Sequence, residues 1–300
     1  MVRSFAQLLR ELSRLRAYRA RRRESIPFRF ALRWYQRHLA RRLAAEWRES
    51  YVLLDDGDFF HIPAALDMHA QVRLLQPAIA PPLIAKFCRP GGTAIDVGAN
   101  IGQWAVPMAK RVGEAGRVFA FEANPLLAES LRRTFRVNAL AHAETHALAL
   151  SDGAGEATLH VVNASPEGIV DSGVSSLERP APGSQPIRVR TVALDDFLQG
   201  RDVPRIGLIK IDVEGHEARV LAGARATLRK HAPALVIETG FESDEQRRGI
   251  AGHLRDAGYA PVGIVHDRHL APASWDAYLA ASEPFRAKRV MNLLLLPEKP

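Results

Sequence analysis

The chain has 300 residues with 47% hydrophobic content, enough for one large α/β domain and an appendage. A single cysteine, Cys88, excludes an internal disulfide and a cysteine-rich zinc site, and a cytoplasmic setting is expected. The net charge of +8 is uneven: residues 1–50 hold 14 Arg, no Lys and 4 Glu, or +10, leaving −2 for a near-neutral body that argues against a nucleic-acid cleft.

From the N-terminus, Phe5, Leu8, Leu9, Leu12 and Leu15 fall at helical spacing with Arg10, Arg14 and Arg21 opposite. Pro27 breaks this helix, and a second is expected over 28–47 with Trp34, Leu39, Leu43 and Trp47 as apolar anchors. This basic extension (1–50) has three open readings: peripheral contact with an anionic membrane surface, docking on the main domain, or a mitochondrial-type presequence. The first would place the protein at the membrane surface. No apolar run approaches the roughly 20 residues that span a bilayer, and the first 30 residues lack the apolar core of a secretory signal. Residues 51–90 read as a hairpin over 51–62 and a partly helical lead-in. His61 and His69, isolated there, are expected to be ordinary polar contacts.

The main domain begins near residue 91, with GTAIDVGANIGQWAVPMAKRVGEAGRVFAFEANP over 92–125 as its centre. Thr93–Val97 predicts a buried parallel strand. Gly98 and Gly102 then allow a tight turn that a ligand can approach, opening onto a helix N-terminus suited to an anionic group. A second strand, 117–121, stops at Glu122, where a carboxylate can accept both hydroxyls of a ribose. A nucleoside-bearing cofactor follows, with Asp96, Val97, Gly98, Ala99, Asn100, Gly102 and Glu122 as its site. An NAD fingerprint would want three glycines as G-x-G-x-x-G, and this turn has two.

Further on, 125–138 predicts a helix and 144–150 a third strand ending at Ser151 and Asp152, candidates for the adenine edge. Residues 154–191 interrupt the alternation with an extra strand (156–163) and a long Gly-, Ser- and Pro-rich loop, expected to be a substrate lid. A strand over 187–192 and a helix start at 193–198 follow. The fourth core strand, 207–211, ends in Asp212, Glu214, His216 and Glu217, four ionisable groups in six positions. A fifth ends at Glu238. A helix near 244–257 and two closing strands, 259–265 and 289–296, complete the chain.

DVGANIG (96–102), FEANP (121–125), ALSDGAG (149–155), GVSSL (173–177), VALDDFL (192–198) and above all IKIDVEGHEARVLAGA (209–224) resemble the FkbM-type methyltransferase family in that order, over about 90–297. One departure is visible: the family usually has proline straight after the strand-two acid, whereas here Ala123 takes that place and proline comes at Pro125. The resemblance implies a Rossmann-like class I methyltransferase fold, a mostly parallel seven-stranded sheet with helices on both faces and an antiparallel seventh strand, over 91–297. It implies S-adenosylmethionine as methyl donor and a hydroxyl as acceptor, commonly on a sugar of a glycan, glycolipid or glycosylated natural product.

Methyl transfer to oxygen needs in-line positioning and removal of the hydroxyl proton. Asp212, Glu214, His216 and Glu238 are the candidates for the proton, and His216 has the ordinary pKa nearest neutrality. His216 and Glu217 could instead belong to the first turn of the following helix. Asp212 and Glu238 end adjacent strands and would suit a divalent metal; two carboxylates alone do not decide it, and the metal stays open. Lys210 could pair with one of these acids. Two other readings remain: an NAD-dependent oxidoreductase, and a non-catalytic membrane-associated protein retaining the fold. Partners are a small-molecule or glycan substrate; nucleic acid is not expected and the oligomeric state is open.

Overall fold

The computed structural model describes residues 50–53, 58–63, 80–162, 175–178, 180, 184–240, 242–266, 269–281, 285 and 291–298. The two helices expected in the basic extension, the middle of the expected lid (163–174) and His69 lie outside the described residues.

An antiparallel hairpin of β1 (Ser50–Leu53) and β2 (Phe59–Ile62) comes first, as the sequence predicts. Next, α1 (Ala80–Phe87), β3 (Thr93–Val97), α2 (Ala105–Val112), β4 (Arg117–Phe121), α3 (Pro125–Val137) and β5 (Ala143–His146) alternate. They are followed by three strands in succession, β6 (Ala149–Ser151), β7 (Gly155–Val162) and β8 (Ser184–Ala193). Alternation returns with α4 (Leu194–Leu198), β9 (Ile206–Ile211), α5 (Glu217–Ala222), α6 (Arg225–His231), β10 (Ala234–Thr239), α7 (Asp244–Asp256) and β11 (Tyr259–His266). The last elements are β12 (His269–Pro272), α8 (Trp275–Leu279) and β13 (Met291–Pro297).

The main sheet has the order β12-β11-β13-β10-β9-β3-β4-β5. β10, β9, β3, β4 and β5 are mutually parallel, because each pair is joined through a crossover rather than a tight turn. β13 runs antiparallel to both its neighbours, β10 and β11. Seven of these strands are the expected ones, and β12 adds a short eighth at the edge. β3 is buried at every position, as a strand covered on both faces must be. Ile95, Val97, Phe119, Ile209, Leu235 and Leu293 form its core with Val220, Leu221, Ile250 and Leu254 of the covering helices. Each such side chain contributes about 1.5–3 kcal/mol on burial.

Two expectations are corrected. The single third strand over 144–150 is two strands: Leu148 N–H donates to the His146 carbonyl at 3.0 Å, turning the chain out of the sheet. Beyond that turn, β6 joins β8 and β7 in a separate three-stranded sheet of order β6-β8-β7. The single helix expected after the fourth strand, with Val220, Leu221 and Leu228 on its apolar side, is also broken, at Gly223. A Cβ there would fall on the Ser151 carbonyl, so the approach of β6 selects glycine and ends α5.

Helix starts follow local chemistry. Pro125 is the first residue of α3 and Asn124 its cap, with the Asn124 side chain accepting from Leu126 N–H at 3.0 Å. The displaced proline of FEANP thus serves as a helix opener. Ser243 and Gln246 form a reciprocal capping box on α7. His61 holds the hairpin to α3: its N–H donates to Thr134 Oγ1, and its ring Nδ1 lies 3.0 Å from Ser130 Oγ.

Candidate functional site

Register places the ionisable groups before any side-chain detail is needed. Asp96 lies opposite Ala120 on one side and Lys210 on the other, and Lys210 opposite Val236. Neighbouring positions in a sheet share a face, and so do positions two apart on one strand. Asp96 and Lys210 therefore form one row. Glu122, Asp212 and Glu238 form the next row toward the carboxyl edge, the same edge at which open α/β sheets bind their ligands.

On the β3–β4 side the backbone does most of the building. Gly98 N–H and Ala99 N–H both donate to the Phe121 carbonyl at 2.9 Å. Gly98 adopts φ +76°, and a Cβ on it would fall on the Asp212 carbonyl. A Cβ on Gly102 would meet Leu131 at 2.6 Å. The sequence reading attributed both glycines partly to a ligand's approach; in each case the immediate neighbour is the protein itself. Val97 and Ala99 have buried side chains, so only their backbone can face a cofactor. Asn100, at φ +51°, donates its N–H to Glu122 Oε2 at 2.8 Å, and Asn124 N–H donates to Glu122 Oε1 at 2.8 Å. Burial pushes the Glu122 carboxyl up to about 7 against those two amides.

Asp96 is 2% exposed, and among the described residues its Oδ2 has no hydrogen-bond partner. Burial pushes this carboxyl up to about 7 as well, with Lys210 opposing the rise. An orphaned buried carboxylate oxygen needs a donor, and a cationic ligand group supplies one. Asp96, Glu122 and the Gly98–Gly102 backbone thus fit a cofactor that carries positive charge and a ribose.

On the β9–β10 side, Lys210 Nζ donates to Asp212 Oδ2 at 2.7 Å. Carboxylate oxygens of Asp212, Glu214 and Glu238 lie within 4.8 Å of one another. Burial raises Glu238 well above the ordinary carboxylate range, and adjacent Asp212 raises it further. Burial works against the Lys210 ammonium, but Asp212, Glu238 and Asp96 outweigh it and its pKa is raised. The turn beyond Asp212 takes two left-handed residues, Glu214 at φ +54° and Gly215 at φ +104°. A non-glycine residue held there is strained, a condition that clusters at functional sites. Buried Glu217 pins the turn, accepting from Val213 N–H and Gly215 N–H at 3.2 Å.

His216 is placed differently from its neighbours. Its Nδ1 lies 2.6 Å from Glu178 Oε1 and its Nε2 lies 3.0 Å from Ser151 Oγ. A general base needs a lone pair directed at the acceptor, and both ring nitrogens are engaged inside the protein. Ser151 also donates to Asp152 Oδ1, and Arg219 reaches Asp152 Oδ2 at 3.0 Å. Ser151 and Asp152, expected at the adenine edge, are thus joined to α5. Ser176 donates its hydroxyl to the Glu214 carbonyl at 2.8 Å and bridges His160 through the backbone. The C-terminal side of the expected lid is therefore anchored on the Glu214–His216 turn. Glu178 and Arg219 are not singled out by the sequence, although Glu178 directly follows GVSSL and Arg219 lies within IKIDVEGHEARVLAGA.

A cleft of about 1050 Å³ opens beside this turn, lined by Glu178, Gly215, Arg219, Gly240, Glu242 and Arg247 among others. Gly215 follows Glu214 directly, and Gly240 lies two residues past Glu238, so the cleft begins where the acid cluster ends. Its lining mixes charged side chains with apolar ones such as Ala218, Ala281 and Phe285, and Arg247 inside it is paired with Glu242 at 3.4 Å.

A nucleotide-type α/β sheet with acids at four strand ends and an antiparallel strand between β10 and β11 defines an enzyme of the S-adenosylmethionine-dependent methyltransferase class. The chain belongs to the FkbM methyltransferase family: the Methyltransferase FkbM domain model matches residues 96–261. S-adenosylmethionine is its cofactor. Among its relatives, the methyltransferase sdnD of Sordaria araneosa is 27% identical over 198 residues, 58% of this chain and 74% of that protein. The hexuronic acid methyltransferase AglP of Haloferax volcanii is 31% identical over 139 residues, 45% of this chain and half the length of that protein. The crystal structure of methyltransferase FkbM from Methylobacillus flagellatus superposes with a TM-score of 0.42 at 17% identity, covering 67% of this chain and 43% of that one.

Proposed function

We propose that this methyltransferase acts on oxygen, methylating a hydroxyl of a sugar in a glycan, glycolipid or glycosylated natural product. The observation that carries the reading is the carboxylate cluster of Asp212, Glu214 and Glu238 at the carboxyl edge of the sheet, with a cleft of about 1050 Å³ beside the Glu214–His216 turn. A relative that methylates hexuronic acid supports a sugar as acceptor.

In this reading Asp96 holds the positively charged end of the donor, Glu122 accepts from its ribose, and the Gly98–Gly102 backbone lies along its amino-acid part. S-adenosylmethionine supplies, when bound, an electrophilic methyl group on a sulfonium. Asp212 receives the hydroxyl proton as the acceptor oxygen becomes nucleophilic, and Glu238 keeps a proton so that Asp212 can be the ionised member. Glu214, held in its strained turn, borders the acceptor. His216 acts through Glu178 and Ser151 as a positioning residue for the cleft wall.

Incubating the enzyme with methyl-labelled S-adenosylmethionine and separate glycolipid, polysaccharide and protein fractions tests this. Label is expected in a sugar methyl ether, stable to base. Label found on nitrogen, or in the protein fraction alone, would overturn the reading.

A further inference from the structure

Lys210 is 1% exposed and among the largest fully buried side chains of the described residues, in a strand that otherwise reads Ile-Gly-Leu-Ile-X-Ile. A buried ammonium costs several kcal/mol unless it is well paired. Its surroundings answer that cost. Asp96 is its register partner, Asp212 lies two residues ahead on its own strand, and Glu238 lies ahead on the next. Nζ sits 2.7 Å from Asp212 Oδ2, and the Trp104 ring centroid is 5.7 Å away.

Two of these carboxylates, with Glu214, make the one group among the described residues with the spacing to hold a metal: Asp212, Glu214 and Glu238. A hard divalent cation would need the Asp212 carboxylate that the ammonium already binds. It would also meet the like charge of a buried ammonium beside its own ligand. We infer that Lys210 is the resident cation of this carboxylate cluster, standing where oxygen methylation would otherwise draw on a divalent metal.

The ammonium then has two tasks. It keeps Asp212 oriented toward the acceptor as a carboxylate. It also offsets part of the charge of four converging acids while leaving the cluster negative enough to welcome a cationic donor. A lysine at this position of the IKID segment is thereby explained as part of the site rather than of the core. The cation assignment stands on geometry alone, whereas its catalytic consequence rests on the methyl-transfer reading.

The test is Mn2+ binding to the full chain, followed by electron paramagnetic resonance without donor or acceptor. Wild-type protein is expected to leave the Mn2+ signal free at millimolar concentrations. Lys210→Met, which removes the charge and keeps the length, should bind one Mn2+ at least about tenfold more tightly. Adding Glu238→Gln should abolish that gain, and Lys210→Arg should stay silent. Tight Mn2+ uptake by the wild type overturns the inference, and so does a folded Lys210→Met that gains no Mn2+. The wild-type titration decides the matter even if the methionine variant does not fold. Calorimetry of S-adenosylmethionine binding fails separately, because it reports on the donor half and not on the cation.

Discussion

The two halves of the carboxyl edge are built by different means. From Asp96 to Glu122 the proposed donor half is one strand–turn–helix–strand unit, and its contacts run through backbone amides and left-handed turn residues. From Asp212 to Glu242 the proposed acceptor half depends on side-chain pairs, some local (Lys210 on Asp212, Arg247 on Glu242) and some between distant segments (Glu178 on His216, Arg219 on Asp152). A backbone-built site constrains residue type at few positions but tolerates almost nothing there. A side-chain-built site can be retuned one residue at a time.

Substitutions can break this contrast, beginning with the most damaging. Gly98→Val pushes a side chain onto the Asp212 carbonyl at a left-handed residue. It should cost about 3 kcal/mol of stability and abolish donor binding together. Thermal unfolding and calorimetry would check it, and a folded variant with intact affinity would refute a backbone-built donor half. Asp212→Asn should lower kcat by about 10²–10⁴ while leaving the donor's Kd nearly unchanged, separating the two halves kinetically.

The donor half should also show its own pH dependence. Asp96 and Glu122 are raised from 3.8 and 4.5 to about 7, so the folded free protein holds their protons longer than the unfolded chain does. Stability of the free protein should therefore fall as pH rises from about 4 to about 7. Donor affinity should move the opposite way, since a cationic ligand favours the ionised forms. About a tenfold rise in affinity from pH 6 to pH 8 is expected by calorimetry, flattening above. A flat profile would mean that neither acid meets the donor's charge. The smallest effect belongs to the cleft wall. Glu178→Gln should raise the acceptor's KM roughly fivefold, about 1 kcal/mol, with kcat and donor Kd held.

The same contrast governs what could be read from the sequence. The donor half was legible because its residues are contiguous and each does a job that its type announces: glycines in a turn, an acid after an apolar run. Asp212, Glu214 and Glu238 were legible as strand-end acids. His216 was chosen for its ordinary pKa, and its engagement by Glu178 and Ser151 depends on contacts 38 and 65 residues away. The continuous run over 144–150 does not show the turn at Leu148, because residues on both sides of it are in strands, Ala143–His146 and Ala149–Ser151, that belong to different sheets. The break at Gly223 was hidden for the same reason, since its cause is the Ser151 carbonyl arriving from that sheet.

β13 has a consequence for how the chain assembles. It lies between β10 and β11, with Leu293 opposite Ile237 and Ile264, and Leu295 opposite Leu235 and Pro261. Yet it follows both in the chain. During synthesis β11 and β12 emerge before the strand that carries them, and the flank of β10 stays open. Non-local pairing of this kind is slow, and an uncovered strand edge can recruit the wrong partner. The nascent enzyme is thus most vulnerable to misassembly just before Met291–Pro297 leaves the ribosome, when donor-half strands are already present and the sheet that must support the acceptor half is not yet closed.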